Sequence, residues 1–159
     1  MKIKIYAIGK IKDSYLRVGI EEYLTRIKPY VQIEIVEVKD EPIPENPNIK
    51  EIEKAKNEEG NRVLKLLKNN EYLISLDLNK KQYKSEDFAA FLMQKLTENG
   101  SSVSFVIGGS YGLSDDLKRR SNYSISLSDL TFTHQMSRLI LLEQIYRSFK
   151  ILKGEVYHK

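Results

Sequence analysis

Phe105–Leu117, FVIGGSYGLSDDL, runs an apolar strand into a glycine-rich turn and then into the start of a helix. Strand, glycine turn and helix in that order form a joint of an α/β domain, and ligands of such sheets bind at the carboxyl ends of the strands. The turn Gly108-Gly109-Ser110-Tyr111-Gly112 also spells G-x-S-x-G. That pattern would lift Ser110 above a sheet as the nucleophile of a hydrolase, whereas in a nucleotide-binding protein the same glycines let main-chain amides approach a ligand.

On either side of this stretch the hydrophobic periodicity switches repeatedly between strand and helix. Ile3, Ile5, Ala7 and Ile8 make a first strand that ends at Gly9-Lys10. Asp13 or Ser14 can cap the helix that follows, carried by Leu16, Ile20, Tyr23, Leu24 and Ile27 and stopped by Pro29. Val31, Ile33 and Ile35 alternate with polar residues in a second strand. Lys39–Asn48 holds three of the four prolines and reads as a surface loop. Ile52, Ala55, Val63, Leu66 and Leu67 mark a long charged helix, weakened at Gly60. Tyr72–Leu78 is a buried strand; Ser85, Phe88, Phe91, Leu92 and Leu96 define a helix closed by Asn99-Gly100. After VSFVI and the glycine turn come a short helix around Leu113–Arg119, a strand at Tyr123–Leu127, and a final helix from about Thr133 to Lys153. Alternation of this kind predicts an α/β domain with a mainly parallel sheet and helices on both faces.

At 159 residues the chain has the length of one domain, residues 1–159. It contains no cysteine, so disulfides, thiol nucleophiles and cysteine metal sites are excluded. Its two histidines, His134 and His158, lie far apart and outside any metal-ligand spacing, so no metal is expected. The N-terminus lacks the apolar core of a signal peptide, and no apolar run approaches the roughly 20 residues of a membrane span, which predicts a soluble cytoplasmic protein. Net charge is +4. Lys118-Arg119-Arg120 and the group Arg147, Lys150, Lys153 and Lys159 fit either a phosphate-binding face or cations complementing helix C-termini. In the last helix, Met136, Ile140 and Leu141 widen the apolar stripe of Leu142, Ile145, Phe149 and Leu152 beyond one sheet contact. That width suits either a helix buried in the monomer or one face of a symmetric dimer.

A hydrolase would also need an acid and a histidine after Ser110, and Asp129 with His134 or His158 supplies them in that order. No oxyanion segment of the HGGG kind accompanies them. A P-loop is absent, and the first strand lacks the G-x-G-x-x-G of dinucleotide-binding folds. What remains is a glycine turn suited to ligand approach at a strand's carboxyl end.

FVIGGSYGL, RSNYSISLSDLTFTHQMSRLILLEQIYRSFKILKGEVYHK, MKIKIYAIGK and the SLDL strand together resemble the RlmH family over the whole chain. These are bacterial SPOUT-class enzymes that methylate N3 of a pseudouridine in 23S rRNA. The resemblance implies a SPOUT-type α/β knot with a C-terminal trefoil knot, S-adenosyl-L-methionine as methyl donor, the ribosome as substrate and a homodimer. It places the cofactor against Leu76, Gly108 and the loop Leu127, Ser128, Asp129, Leu130, Thr131 and Phe132, with Gly109, His134 and Arg138 nearby. It implies that Tyr157, His158 and Lys159 complete the active site, across the dimer, with His158 a candidate base, Tyr157 able to stack and Lys159 able to meet a phosphate. This chain departs from many relatives at Lys80, where glycine is common, at Thr133, where proline is, and at Lys159, where arginine is. Two rival classes are a small serine hydrolase using Ser110 and an RNA-binding module without chemistry.

Overall fold

The computed structural model describes the whole chain, Met1–Lys159. Five strands, β1 (Lys2–Ile8), β2 (Gln32–Val38), β3 (Leu73–Lys81), β4 (Ser102–Ile107) and β5 (Tyr123–Ile125), lie in the order β2-β1-β4-β3-β5. Every pairing is parallel. Between them run α1 (Ser14–Ile27), α2 (Ile49–Leu64), α3 (Ser85–Glu98) and α4 (Asp115–Arg120), and α5 (His134–Leu152) closes the chain.

A central parallel strand must bury both faces, and β1 does so residue by residue. Ile3 and Ile5 join the larger core, under α1, α3 and α5, while Tyr6 and Ile8 join the smaller one, under α2 and α4. The expected alternation and two-faced sheet are therefore present.

Three boundaries differ from the sequence expectation. Helix α2 starts on a capping box, in which the Asn48 side chain accepts the Glu51 N–H, but it ends at Leu64; Leu66 points into solvent and only Leu67 packs on the smaller core. Strand β5 stops at Ile125 because Ser126 turns to other partners. Strand β3 continues to Lys81 by bulging, since Leu76 and Lys81 both pair with Ile125.

Helix α5 lies between α1 and α3 over the sheet. Leu141, Leu142, Ile145 and Phe149 are fully covered, and Met136 and Leu139 pack against the same core. Most of its wide apolar arc is thus buried inside the monomer, while Leu152 is exposed and Ile140 only half-buried. At the α1 crossing, a Cβ on Gly19 would lie 3.2 Å from Leu139, so glycine sets how closely the two helices approach.

Candidate functional site

The carboxyl ends of β1, β4, β3 and β5 open into one cleft of about 930 Å³, at the upper end of the range for small-molecule sites. Leu76, Gly108, Gly109, Leu127, Ser128, Leu130, Thr131, Phe132 and His134 all line it, so residues far apart in sequence converge as expected. Asp129 does not: its carboxylate points away and accepts a hydrogen bond from Gln82.

One wall is the β3 bulge, Asp77–Lys80. Asn79 supplies its left-handed step at φ 58°, a conformation asparagine tolerates better than most residues. Buried Ser126 holds the bulge by donating to the Asp77 carbonyl at 2.7 Å and accepting the Lys80 N–H at 2.7 Å. Lys80 in place of glycine is accommodated because the unusual dihedral falls one residue earlier. Asp77 in turn pairs with Lys118 at 3.4 Å, bringing one cation of the 118–120 run to the cleft. Arg119 pairs with Asp116, and Arg120 donates to the Lys68 and Glu71 carbonyls.

The glycine turn is the second wall. A Cβ on Gly108 would lie 2.6 Å from the Gly112 carbonyl carbon, and Gly112 itself sits at φ 89°. Glycine at 108 is therefore required by the closure of the turn on itself, and it also lines the cleft. Beneath the turn, α2 presents Glu59 and Gly60. A Cβ on Gly109 would lie 3.1 Å from the Glu59 carboxylate, and one on Gly60 would lie 2.2 Å from the Ser114 hydroxyl. Glu59 is 4% exposed and accepts the Glu41 N–H at 3.1 Å; burial raises its pKa.

Ser110 stands exposed at the tip of this turn, and the rest of a catalytic triad is not assembled around it. Asp129 is engaged by Gln82, His158 is held by Glu86 and Arg147, and His134, though it lines the same cleft, makes no hydrogen bond to Ser110. The hydrolase reading fails on this geometry, because a nucleophilic serine needs its base within hydrogen-bond reach.

The third wall is Leu127–Phe132. This loop contributes no backbone–backbone hydrogen bond, and within it only the Leu130 N–H is met by a side chain, Ser128. Open main-chain donors and acceptors beside Leu76, Leu127 and Phe132 suit a flat heterocycle with polar edges, such as adenine. Thr133 ends the loop as the N-cap of α5, accepting the Met136 N–H at 3.2 Å. Its hydroxyl supplies by capping what proline supplies by rigidity.

His134, the first residue of α5, is half-buried in the cleft wall, and its pKa is lowered by burial first and then by Arg138. Arg138 lies behind it, 2% exposed, with one arm on Glu37 at 2.7 Å and another on the Gly9 carbonyl at 3.1 Å. Its role there is to tie α5 to the ends of β1 and β2, and it does not line the cleft.

The C-terminal tail is elsewhere. It folds back along α5, where the Tyr157 hydroxyl donates to Glu143 at 3.0 Å and the His158 ring meets Glu86 at 2.8 Å and Arg147 at 3.1 Å. Arg147 also stacks on Tyr157, 4.8 Å from the ring centre. None of Tyr157, His158 and Lys159 lines the cleft of its own chain. Arg147 and Lys150 are paired with Glu143 and Glu155, which favours the helix-end reading of that basic cluster.

A family model described as "Predicted SPOUT methyltransferase" matches residues 1–158. The "Ribosomal RNA large subunit methyltransferase H" of Halothermothrix orenii (strain H 168 / OCM 544 / DSM 9562) is 49% identical over 159 residues, covering 100% of both chains. The chain belongs to the RlmH family of SPOUT methyltransferases. Two solved structures share its fold: a probable methylase family protein from Haemophilus influenzae Rd KW20 (TM-score 0.55, 11% identity, 96% of this chain and 66% of that one), and the tRNA (m1G37) methyltransferase of Aquifex aeolicus (TM-score 0.54, 13% identity, 100% and 74%).

As a SPOUT methyltransferase, the protein brings to its cleft several residues that sequence reasoning missed as site residues: Tyr15, Asp77, Asn79, Lys118 and Gln135, with Asp13 read only as a cap. Asp13 is the N-cap of α1, yet its side chain makes no cap bond. A signal for the Asp13–Tyr15 stretch was available, since it follows the Gly9 end of the first strand at the sheet's carboxyl edge. None marked the bulge. No helix is long and apolar enough to cross a membrane, and no group of three or more His, Cys, Asp or Glu side chains is placed to hold a metal ion.

Proposed function

We propose that this protein transfers the methyl group of S-adenosyl-L-methionine to N3 of a pseudouridine in 23S rRNA, acting on the assembled ribosome in the cytoplasm. The observation that carries the reading is the 49% identity, over both full lengths, to a ribosomal RNA large-subunit methyltransferase. The cleft is consistent with the donor. Its apolar residues and the open main chain of Leu127–Phe132 suit adenine, and the Leu76 and glycine-turn walls flank the same space. S-adenosyl-L-methionine, once bound there, supplies an electrophilic methyl; the protein's part is alignment.

The working form is a homodimer with a C-terminal trefoil knot. Support for the knot is that β5 enters beside β3 only after β4 is laid down, while the loops following β3 and β5 share one cleft. Support for the dimer is the exposed apolar pair Tyr15 (67% exposed) and Leu130 (71%) in the cleft lining, with Val18 (65%) three residues beyond Tyr15 on α1. Since the tail is held on Glu86, Glu143 and Arg147 and does not line its own cleft, Tyr157, His158 and Lys159 complete the partner's site, where Tyr157 can stack on a base and Lys159 can meet a phosphate. Lysine at 159 offers a point charge without the two-pronged geometry of arginine.

The deciding experiment incubates labelled S-adenosyl-L-methionine with ribosomes from a strain lacking the protein. Label at N3 of a 23S pseudouridine is expected from the full chain, and none from a chain ending at Val156. Absence of label with the full chain refutes the function; normal label from the shortened chain refutes the role of the tail. Salt-sensitive rRNA binding without label would instead favour a binding module.

A further inference from the structure

Methylating a ring nitrogen that carries a proton requires an acceptor for that proton, an inference that rests on the reading just given. Lysine and tyrosine side chains ordinarily hold their protons at neutral pH, which leaves Asp13, Asp77 and His134 among the titratable groups lining the cleft. Asp77 is paired with Lys118 and belongs to the bulge wall. Imidazole is the side chain whose ordinary pKa lies nearest neutrality, where a general base works best.

His134 is also placed for the task. It follows directly on the loop whose Thr131 and Phe132 line the cleft, and its neighbour Gln135 lines the cleft too. The charged side chains facing it are Arg138 from α5, Lys12 from the β1–α1 loop and Asp40 from the β2–α2 loop, and none of them hydrogen-bonds the ring. Burial, Arg138 and Lys12 lower its pKa against the opposing charge of Asp40, which favours the neutral ring, the form able to accept a proton. The other imidazole, His158, has both ring nitrogens engaged, by Glu86 and by Arg147.

We propose that the imidazole of His134 accepts the N3 proton of the target base, while the tail of the partner subunit holds the nucleotide against it. The N3–H proton passes to the ring, and the N3 electron pair forms the new bond to the methyl carbon. The bond from that carbon to sulfur breaks, its electron pair stays on sulfur as a neutral thioether, and the imidazolium then gives its proton to water.

Two measurements test this, one of them independent of turnover. In a His158→Gln variant, which leaves a single imidazole, the ¹³C signal of His134 should titrate below the ordinary histidine value and shift when S-adenosylhomocysteine is added. A signal indifferent to the ligand overturns the proposal. In single-turnover methylation of ribosomes, His134→Gln should lower the rate at pH 7 by at least about 100-fold. Its affinity for S-adenosylhomocysteine by calorimetry should stay within about threefold. The wild-type rate should fall on the acid side, and the variant's deficit should shrink as pH rises and the base ionises unaided. A His134→Gln rate within about threefold of wild type with the acid limb intact, or loss of that limb in Asp13→Asn instead, assigns the base elsewhere. A wild-type protein that labels no rRNA overturns the underlying reading itself, a result distinguishable from either.

Discussion

Gly60→Ala tests how α2 supports the glycine turn. Helix propensity alone would make the alanine variant about 1 kcal/mol more stable. The structure predicts the opposite, because the new Cβ would fall 2.2 Å from the Ser114 Oγ and 3.0 Å from its Cβ. Ser114 is 2% exposed, and its hydroxyl caps α4 by accepting the Leu117 N–H at 3.2 Å. Driving it out forfeits a cap of about 1 kcal/mol and leaves a buried polar group unpaired, at about 1–3 kcal/mol. The net effect is a loss of about 1–3 kcal/mol after the propensity gain is subtracted. Ser114→Gly alone should cost only a few tenths, since glycine is tolerated at an N-cap. In the double variant the nearest remaining neighbour is the Leu117 Cβ at 3.8 Å, an ordinary contact. That protein should be about 0.5 kcal/mol more stable than wild type, giving a coupling of about 2–4 kcal/mol. Urea unfolding followed by circular dichroism, at constant m, measures all four corners of the cycle. A Gly60→Ala protein as stable as wild type, or single effects that add within about 0.5 kcal/mol, would refute the reasoning.

Glu59→Gln should stabilise the protein at neutral pH. Burial raises the Glu59 pKa in the folded state, so the ionised form is disfavoured there and wild type loses stability as pH climbs above 4.5 through the folded value. Glutamine can still accept the Glu41 N–H, so the difference in unfolding midpoint should vanish near pH 4 and grow by pH 7; a constant difference contradicts the assignment. Glu37→Ala should cost about 2 kcal/mol, the lower part of the range for a charged hydrogen bond, because Glu37 is itself 40% exposed while Arg138 is 3% exposed and keeps only the Gly9 carbonyl. Thermal unfolding checks it, and a change below about 0.5 kcal/mol would mean that water replaces the carboxylate. Ending the chain at Val156 should leave the affinity for S-adenosylhomocysteine within about twofold, since no residue of the tail lines the cleft of its own chain; calorimetry reporting a loss of tenfold or more would place the tail in the donor site.

The sequence by itself determined the order of strands and helices, because a period of two or of 3.6 is written by near neighbours, and its punctuation by proline, glycine and capping residues is equally local. Strand and helix periods did not place Leu76, Gly108 and Leu127–Phe132 on one site; the family resemblance implied it, and the tertiary structure gathers all of them except Asp129 around one cleft. Other features depended on contacts between residues distant in sequence, and only the tertiary structure decided them. The bulge at Asp77–Lys80 arises because Leu76 and Lys81 compete for Ile125, and a register shift leaves no periodic trace. The closeness of α2 to the turn made glycine necessary at 60, where the sequence showed only a weakened helix. The wide stripe of α5 met α1 and α3, a pairing that hydrophobicity announces without naming the partner. Likewise His134 and His158 are the same residue type, but burial with Arg138 lowers the pKa of one ring in the cleft wall, and Glu86 with Arg147 occupies the other.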